Sequence, residues 1–203
     1  MNSIAQNLPI METFYSIQGE GFYQGHAAFF IRLAGCNVGC VWCDVKESWD
    51  ANQHPLVSIE NLLDEVQKSK AEIVIITGGE PMMYDCTSLC EILQKHGYKT
   101  HLETSGAYAL SGTWDWVCLS PKKFKAPVEA ALKKADELKV VVFHKSDLEW
   151  ALQHVEKVRP QCLLFLQPEW SKEKEMLPLI TEFIQENPKW KLSLQIHKYM
   201  GVR

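Results

Sequence analysis

The chain has 203 residues, 46% of them hydrophobic and 23% charged, which is enough for one well-buried core and short for two, so one domain over residues 1–203 is expected. No stretch approaches the run of about 20 apolar residues that spans a bilayer, and residues 1–11 carry no basic segment followed by a long apolar run, so neither a membrane role nor a secretory leader is expected and the place of work is the cytoplasm. A formal charge of −4 removes the electrostatic case for nucleic acid, because the basic run Lys122, Lys123 and Lys125 is only local.

In chain order, apolar runs predict strands over 28–34, 72–77, 99–103, 116–119, 138–143, 162–166 and 192–196. Their near-continuous apolar character suits strands covered on both faces. Residues 43–55 form the longest irregular stretch. Ile59, Leu62, Leu63 and Val66 repeat at helical spacing behind a Ser58 N-cap, and Leu89, Ile92 and Leu93 do so before a terminating Gly97. Ser146 with Glu149 reads as a capping box ahead of Leu148, Ala151, Leu152 and Val155. Ser171 is expected to cap a helix burying Met176, Ile180, Phe183 and Ile184.

Strand and helix therefore alternate. Such alternation makes a parallel sheet whose right-handed crossovers bring every βα loop to the carboxyl end of the strands. Those loops read Gly35-Cys36, Gly78-Gly79-Glu80-Pro81, Thr104-Ser105-Gly106, Ser120-Pro121-Lys122, Gln167-Pro168-Glu169 and His197-Lys198, and all are expected to face one cavity.

Three of the seven cysteines, Cys36, Cys40 and Cys43, form a Cys-x3-Cys-x2-Cys run on the first of these loops. Three soft thiolates on one loop select an iron–sulfur cluster or zinc and suit a reducing compartment better than a disulfide framework. A four-iron cluster with three protein ligands keeps one iron open for an exchangeable ligand. Structural zinc would need a fourth ligand from Cys86, Cys90 or a histidine, all distant in sequence, and buried free thiols are the third reading. Cys86, Cys90, Cys118 and Cys162 are expected to act as small buried hydrophobes. Trp114, Trp116, Trp150, Trp170 and Trp190 are read as packing or surface aromatics.

Cys-x3-Cys-x2-Cys after an early strand resembles the signature of the radical S-adenosylmethionine (SAM) superfamily. Gly78-Gly79-Glu80-Pro81 resembles its GGE motif, whose glycines let backbone approach the SAM amino group. Glu103-Thr104-Ser105-Gly106 stands where related enzymes contact the ribose or methionine part, with a plain capped turn as the other reading. A closer resemblance covers nearly the whole chain. Ser16-Ile17-Gln18-Gly19-Glu20-Gly21, Arg32 four residues before Cys36, Cys43-Asp44, Thr77 with Gly79, Ser120-Pro121-Lys122 and His197-Lys198-Tyr199 are similar to the 7-carboxy-7-deazaguanine synthase family.

The resemblance implies an α/β fold, a single-domain incomplete β/α barrel of the radical SAM type. It implies a lyase that converts 6-carboxy-5,6,7,8-tetrahydropterin to 7-carboxy-7-deazaguanine with release of ammonia, on the way to queuosine and other 7-deazapurines. In the implied reaction a deoxyadenosyl radical takes the hydrogen at C6 of the pterin, the ring contracts and SAM is regenerated. By the same resemblance Cys36, Cys40 and Cys43 hold a [4Fe–4S] cluster, and Trp42, Cys43, Asp44, Gly79, Ser120, Pro121, Lys122 and Gln167 bind SAM. Ile17, Gln18, Gly19, Arg32, Thr77, His197 and the terminal Arg203 bind the pterin. Residue chemistry agrees in two places: a guanidinium such as Arg32 meets a carboxylate bidentately, and Gln18 can pair with a donor–acceptor edge.

One position departs from the family pattern. Many members place a hydroxyl residue after the Cys-Asp pair as a Mg²⁺ ligand, whereas this chain has Val45, which offers no oxygen to a hard cation. Either Mg²⁺ is held by Asp44, Glu47, Asp50, substrate and water, or it is absent. The resemblance also implies a homodimer and a flavodoxin-like electron donor. The rival readings are a small radical SAM activase that puts a glycyl radical on a partner enzyme, and a zinc-stabilised binding module.

Overall fold

The structure, a computed structural model, describes residues 6–203; the first five residues of the 1–11 segment and of the expected domain lie outside the described residues. A nine-stranded sheet runs in the order β3-β1-β2-β4-β5-β6-β7-β8-β9. β1 (Asn7–Ile17) and β2 (Ala27–Leu33) form an antiparallel hairpin, and the short β3 (Leu56–Ser58) pairs antiparallel with the start of β1. From β2 onward the pairing is parallel through β4 (Ile73–Gly78), β5 (Lys99–Thr104), β6 (Trp116–Leu119), β7 (Glu137–Val142), β8 (Leu163–Pro168) and β9 (Trp190–Leu192). β3 and β9 stand at opposite ends, so the barrel is left incomplete.

The helices are α1 (Ile59–Gln67), α2 (Thr87–Lys95), α3 (Glu129–Leu132), α4 (Ser146–Val155), α5 (Glu173–Glu186) and α6 (Ile196–Met200). Among the described residues none is long and apolar enough to cross a membrane. Phe29, Ile31, Leu33, Val74 and Ile76 bury their side chains under Leu62, Val66, Leu89 and Leu93 of α1 and α2. Farther along, Leu138, Val140, Val142, Leu164 and Leu166 pack beneath Leu148, Ala151, Met176 and Ile180 of α4 and α5. Successive strand residues point to opposite faces, so the intervening positions Arg32, Thr77, Glu103, Lys139 and Gln167 line the concave face. The expectation of strands apolar on both faces is thus corrected: the helix-facing side is apolar, and the other alternates into polar groups toward the carboxyl ends.

Every predicted strand is present, with the last displaced to Trp190–Leu192. β1 and β3 were not expected. A register shift between Ile10 and Glu12 breaks the alternation of β1, and β3 has only three residues, so neither carries a period. Ser58 caps α1 by accepting from the Asn61 N–H at 3.2 Å, and Gly97 follows α2 with φ 88°. Ser146 does not cap α4. Asp147 replaces it, its carboxylate accepting from the Phe143 and His144 N–H groups at 2.8 and 2.7 Å, a stronger interaction than a hydroxyl makes. Leu152 lies on the exposed side of that helix. Ser171 sits in the 3-10 turn Trp170–Lys172, which Glu169 caps, and α5 begins after it.

Candidate functional site

The loops at the carboxyl ends of the parallel strands surround one cavity of about 260 Å³. Cys36, Cys40 and Cys43 line it from the loop after β2. The hydrogen bonds Gly35 N–H to Ser48 O (2.6 Å) and Cys36 N–H to Trp49 O (3.1 Å) brace this loop against the irregular stretch, and Cys43 N–H closes onto Cys40 O at 3.1 Å. Burial pushes the Cys36 thiol up and carries Cys40 to about 11, so both are protonated until a metal displaces the proton. Among the described residues no three His, Cys, Asp or Glu side chains converge tightly on a point suited to a single ion. That argues against zinc, whereas a four-iron cluster presents separate irons to separated thiols.

Gly79 shows why this loop needs glycine. Its N–H bonds Leu33 O at 2.9 Å, and a Cβ there would overlap the Gly35 carbonyl oxygen and press on Cys36. The next residue, Glu80, is fully buried. It accepts from Met82 N–H (3.0 Å), Thr104 Oγ1 (2.5 Å), Ser105 N–H (2.8 Å) and Ser105 Oγ. Thr104 and Ser105 line the cavity, but their hydroxyls are spent on joining the β4 and β5 loops.

Trp42, Asp44, Ser120, Lys122 and Gln167 also reach the cavity. Lys122 donates to Ser120 O and Ser120 Oγ, both at 2.6 Å, and its ammonium stands 5.7 Å from the Trp42 ring centre. Burial lowers its pKa. Gln167 accepts from Ser193 Oγ at 2.7 Å. Pro121 alone of the expected SAM residues is buried behind the loop and does not line the cavity.

On the opposite wall stand Ile17, Gln18, Gly19, Arg32, Thr77, His197 and Arg203. Gln18 donates to Glu103 Oε1 at 2.7 Å and accepts from Glu20 N–H at 3.1 Å, leaving one amide N–H uncommitted. Arg32 Nε is held by Glu12 at 2.9 Å, which frees its two terminal nitrogens. His197 belongs to α6 rather than to a loop, and its ring packs on Gly19 where any Cβ would collide. Ile196 N–H bonds Gly19 O at 3.0 Å, so α6 is docked on the β1–β2 connection. Past Gly201, at φ 66°, the terminus folds back: Ser16 Oγ donates to Arg203 O (2.6 Å), and the Arg203 guanidinium meets Glu12 at 3.0 Å.

Comparison with known proteins agrees with this geometry. The family described as the radical SAM superfamily matches residues 30–119. The chain is 50% identical over 195 residues to 7-carboxy-7-deazaguanine synthase of Flavobacterium psychrophilum, covering 96% of this chain and 92% of that one. It is 48% identical over 195 residues to 7-carboxy-7-deazaguanine synthase of Synechocystis sp., covering 96% and 93%. The crystal structure of QueE from Escherichia coli superposes with a TM-score of 0.83 at 33% identity, over 93% of this chain and 94% of that chain. The chain belongs to the 7-carboxy-7-deazaguanine synthase family. Radical SAM membership implies a [4Fe–4S] cluster and SAM. Three thiols on one wall and the glycine cradle at Gly79 fit both groups.

For this 7-carboxy-7-deazaguanine synthase family member, sequence reasoning missed the floor of the cavity. Lys139, only 3% exposed, is paired with Glu20 and lies 3.5 Å from Glu103. Gln195 donates to Glu20 at 2.7 Å; Lys198 then donates to Gln195 Oε1 at 3.0 Å and to Asp44 at 3.1 Å. A continuous polar chain therefore runs from Asp44, beside the cysteines, to Gln18. Burial opposes charge on Glu20, but Lys139 and Gln195 outweigh it and hold the carboxyl at about 2. Burial likewise opposes charge on Lys139, and the surrounding acidic groups hold it well above the usual lysine range. The available signal was the period-two spacing of Glu137 and Lys139 inside an apolar run. Trp170, read as a packing aromatic, also lines the cavity.

The three carboxylates considered for Mg²⁺ do not come together. Asp44 lines the cavity but is already paired with Lys198. Asp50 caps the turn Ala51–Gln53, and neither it nor Glu47 lines the cavity. With Val45 beside Asp44, these residues do not fit a Mg²⁺ site.

Proposed function

We propose that this chain is a radical SAM lyase converting 6-carboxy-5,6,7,8-tetrahydropterin to 7-carboxy-7-deazaguanine with release of ammonia, a step towards queuosine and other 7-deazapurines, with residues 1–203 forming one radical SAM core domain. The observation that carries the reading is one cavity with three thiols on one wall and Arg32, Gln18 and His197 on the other, in a chain related to its namesakes over nearly their whole length. When bound, the cluster and SAM supply the radical that takes a hydrogen atom from the pterin. Cys36, Cys40 and Cys43 would hold the cluster; Trp42, Cys43, Asp44, Gly79, Ser120, Lys122 and Gln167 would hold SAM, with Pro121 shaping the loop from behind.

Ile17, Gln18, Gly19, Thr77, His197 and Arg203 orient the pterin, and orientation selects the hydrogen, since abstraction requires near-contact geometry. Arg32 grips the pterin carboxylate. Glu12 holds the Arg32 Nε from behind and leaves two parallel donors. Arg32→Lys, which cannot keep both contacts, is expected to raise the KM for the pterin about tenfold with kcat little changed, in steady-state assays.

Because the residues do not fit Mg²⁺, no step is routed through it, and turnover is expected to survive its removal. The sevenfold cysteine set, all free thiols, supports work in a reducing cytoplasm. A homodimer and a flavodoxin-like donor complete the reading on the strength of the family resemblance. The test is anaerobic incubation of the reconstituted chain with dithionite, SAM and the pterin, followed by mass analysis, with Mg²⁺ and with a chelator. Product in both arms is expected. Cleavage of SAM to 5′-deoxyadenosine without product would overturn the reading and favour the activase.

A further inference from the structure

The cluster loop carries an apolar surface that the fold itself does not use. Val41, between Cys40 and Cys43, is 64% exposed, and Phe124 is 45% exposed. They are held rather than loose. The Phe124 ring lies edge-on to Trp42 at 6.3 Å between centres, and Trp42 packs in the small cluster that includes Cys40 and Cys43. Lys125 donates to Asn37 at 3.0 Å, and Tyr108 donates to the same oxygen at 2.7 Å, with the Lys125 ammonium 4.2 Å from the Tyr108 ring centre. The cysteine loop and the lysine loop thereby form one braced face.

That face is basic in an acidic chain. Segment 120–128 holds Lys122, Lys123 and Lys125 and no acidic residue, while the whole chain carries −4. Asp147 pairs with Lys123 at 2.5 Å, but among the described residues no carboxylate pairs with Lys122 or Lys125. Electron transfer weakens steeply with distance, so a donor must approach where the cysteine ligands lie nearest the surface. Fixed aromatic and aliphatic tips within a lysine field have the character of an interface anchor with electrostatic steering.

We propose that the Val41–Phe124 face is the docking surface for a small acidic one-electron carrier protein, which gives one electron to the cluster with no bond made or broken. The proposal rests on the radical SAM reading above. Its test uses the reconstituted holoenzyme and a flavodoxin as probe. Binding is measured by calorimetry at low and high salt, and cluster reduction by the reduced probe is followed by absorbance. Phe124→Ser combined with Lys123→Gln is expected to weaken binding about tenfold or more, to slow cluster reduction in proportion, and to leave dithionite-driven turnover intact. Wild-type binding is expected to fall with salt, and Lys191→Gln on the edge strand β9 to change nothing.

Unchanged binding in the double variant would overturn the proposal, as would equal loss of dithionite-driven turnover, which marks a structural role. Tighter binding of wild type to anionic phosphatidylglycerol vesicles than to flavodoxin, or a change of oligomeric mass in the variant, would assign the face to a membrane or to a second copy. Absence of dithionite-driven product in wild type would instead strike the proposed function, leaving the calorimetric result to be read separately.

Discussion

Replacing Cys40 with alanine is expected to abolish both the product and the bound iron and sulfide while leaving the fold almost as stable as before. The loop backbone does not depend on this side chain, because Ser48 O and Trp49 O hold Gly35 and Cys36 from outside. The Cys40 side chain packs only with Val38 and Ala107 and their neighbours. Losing one sulfur from that cluster costs about 1 kcal/mol, far less than the loss of a third cluster ligand costs in chemistry. Cys86→Ala provides the comparison: that thiol is also buried, yet it packs under α2, away from the cavity. It should lose similar stability in urea unfolding and keep its iron, sulfide and turnover. Iron, sulfide and product all retained in Cys40→Ala would remove the cluster from this loop.

What could be read from the sequence followed from how local each signal is. Ser58 and Gly97 act within one helical turn of themselves, and both were legible. The cysteine run was legible because its ligands share one loop. The capping of α4 was misread because two acceptors, Ser146 and Asp147, compete for the same N–H groups, and only the geometry shows that the carboxylate reaches Phe143 and His144. β1 was hidden by its bulge and β3 by its brevity. The floor of the cavity was hidden for a different reason: Glu20, Glu103, Lys139 and Gln195 come from four separate elements, and each alone reads as an ordinary polar residue. Topology alone brings them together. Resemblance supplied the pterin-side residues through Ser16 to Gly21 and the His197 segment, but not the glutamine and lysine that tie that wall to Asp44.

Lys139→Met should be the most destabilising change at the site, by about 3–5 kcal/mol at neutral pH, because it strands buried carboxylates without their cation. The pH dependence separates this cause from simple loss of packing. In the native chain Glu20 titrates at about 2 against an ordinary value of 4.5. Its folded pKa is depressed, so the stability it contributes is present above 4.5 and is lost as pH falls toward 2. Without Lys139 the sign reverses. Burial, the largest influence on Glu20, then raises its pKa above the unfolded value, and the penalty is present at neutral pH and relieved on acidification. The gap between native and variant unfolding free energies is therefore expected to be widest near pH 7 and to narrow toward pH 4.5, as read from urea unfolding at several pH values. A gap independent of pH would mean that lost packing, not the stranded charge, is responsible. Adding Glu20→Gln to the variant should recover part of the loss at pH 7, since it removes one of the charges that Lys139 had balanced. Because Gln195 and Lys198 hang from the same carboxylate and reach Asp44, turnover should fall in Lys139→Met even at temperatures where the chain stays folded, making Lys139 a positioning residue whose buried charge sets the distance between the two walls of the cavity.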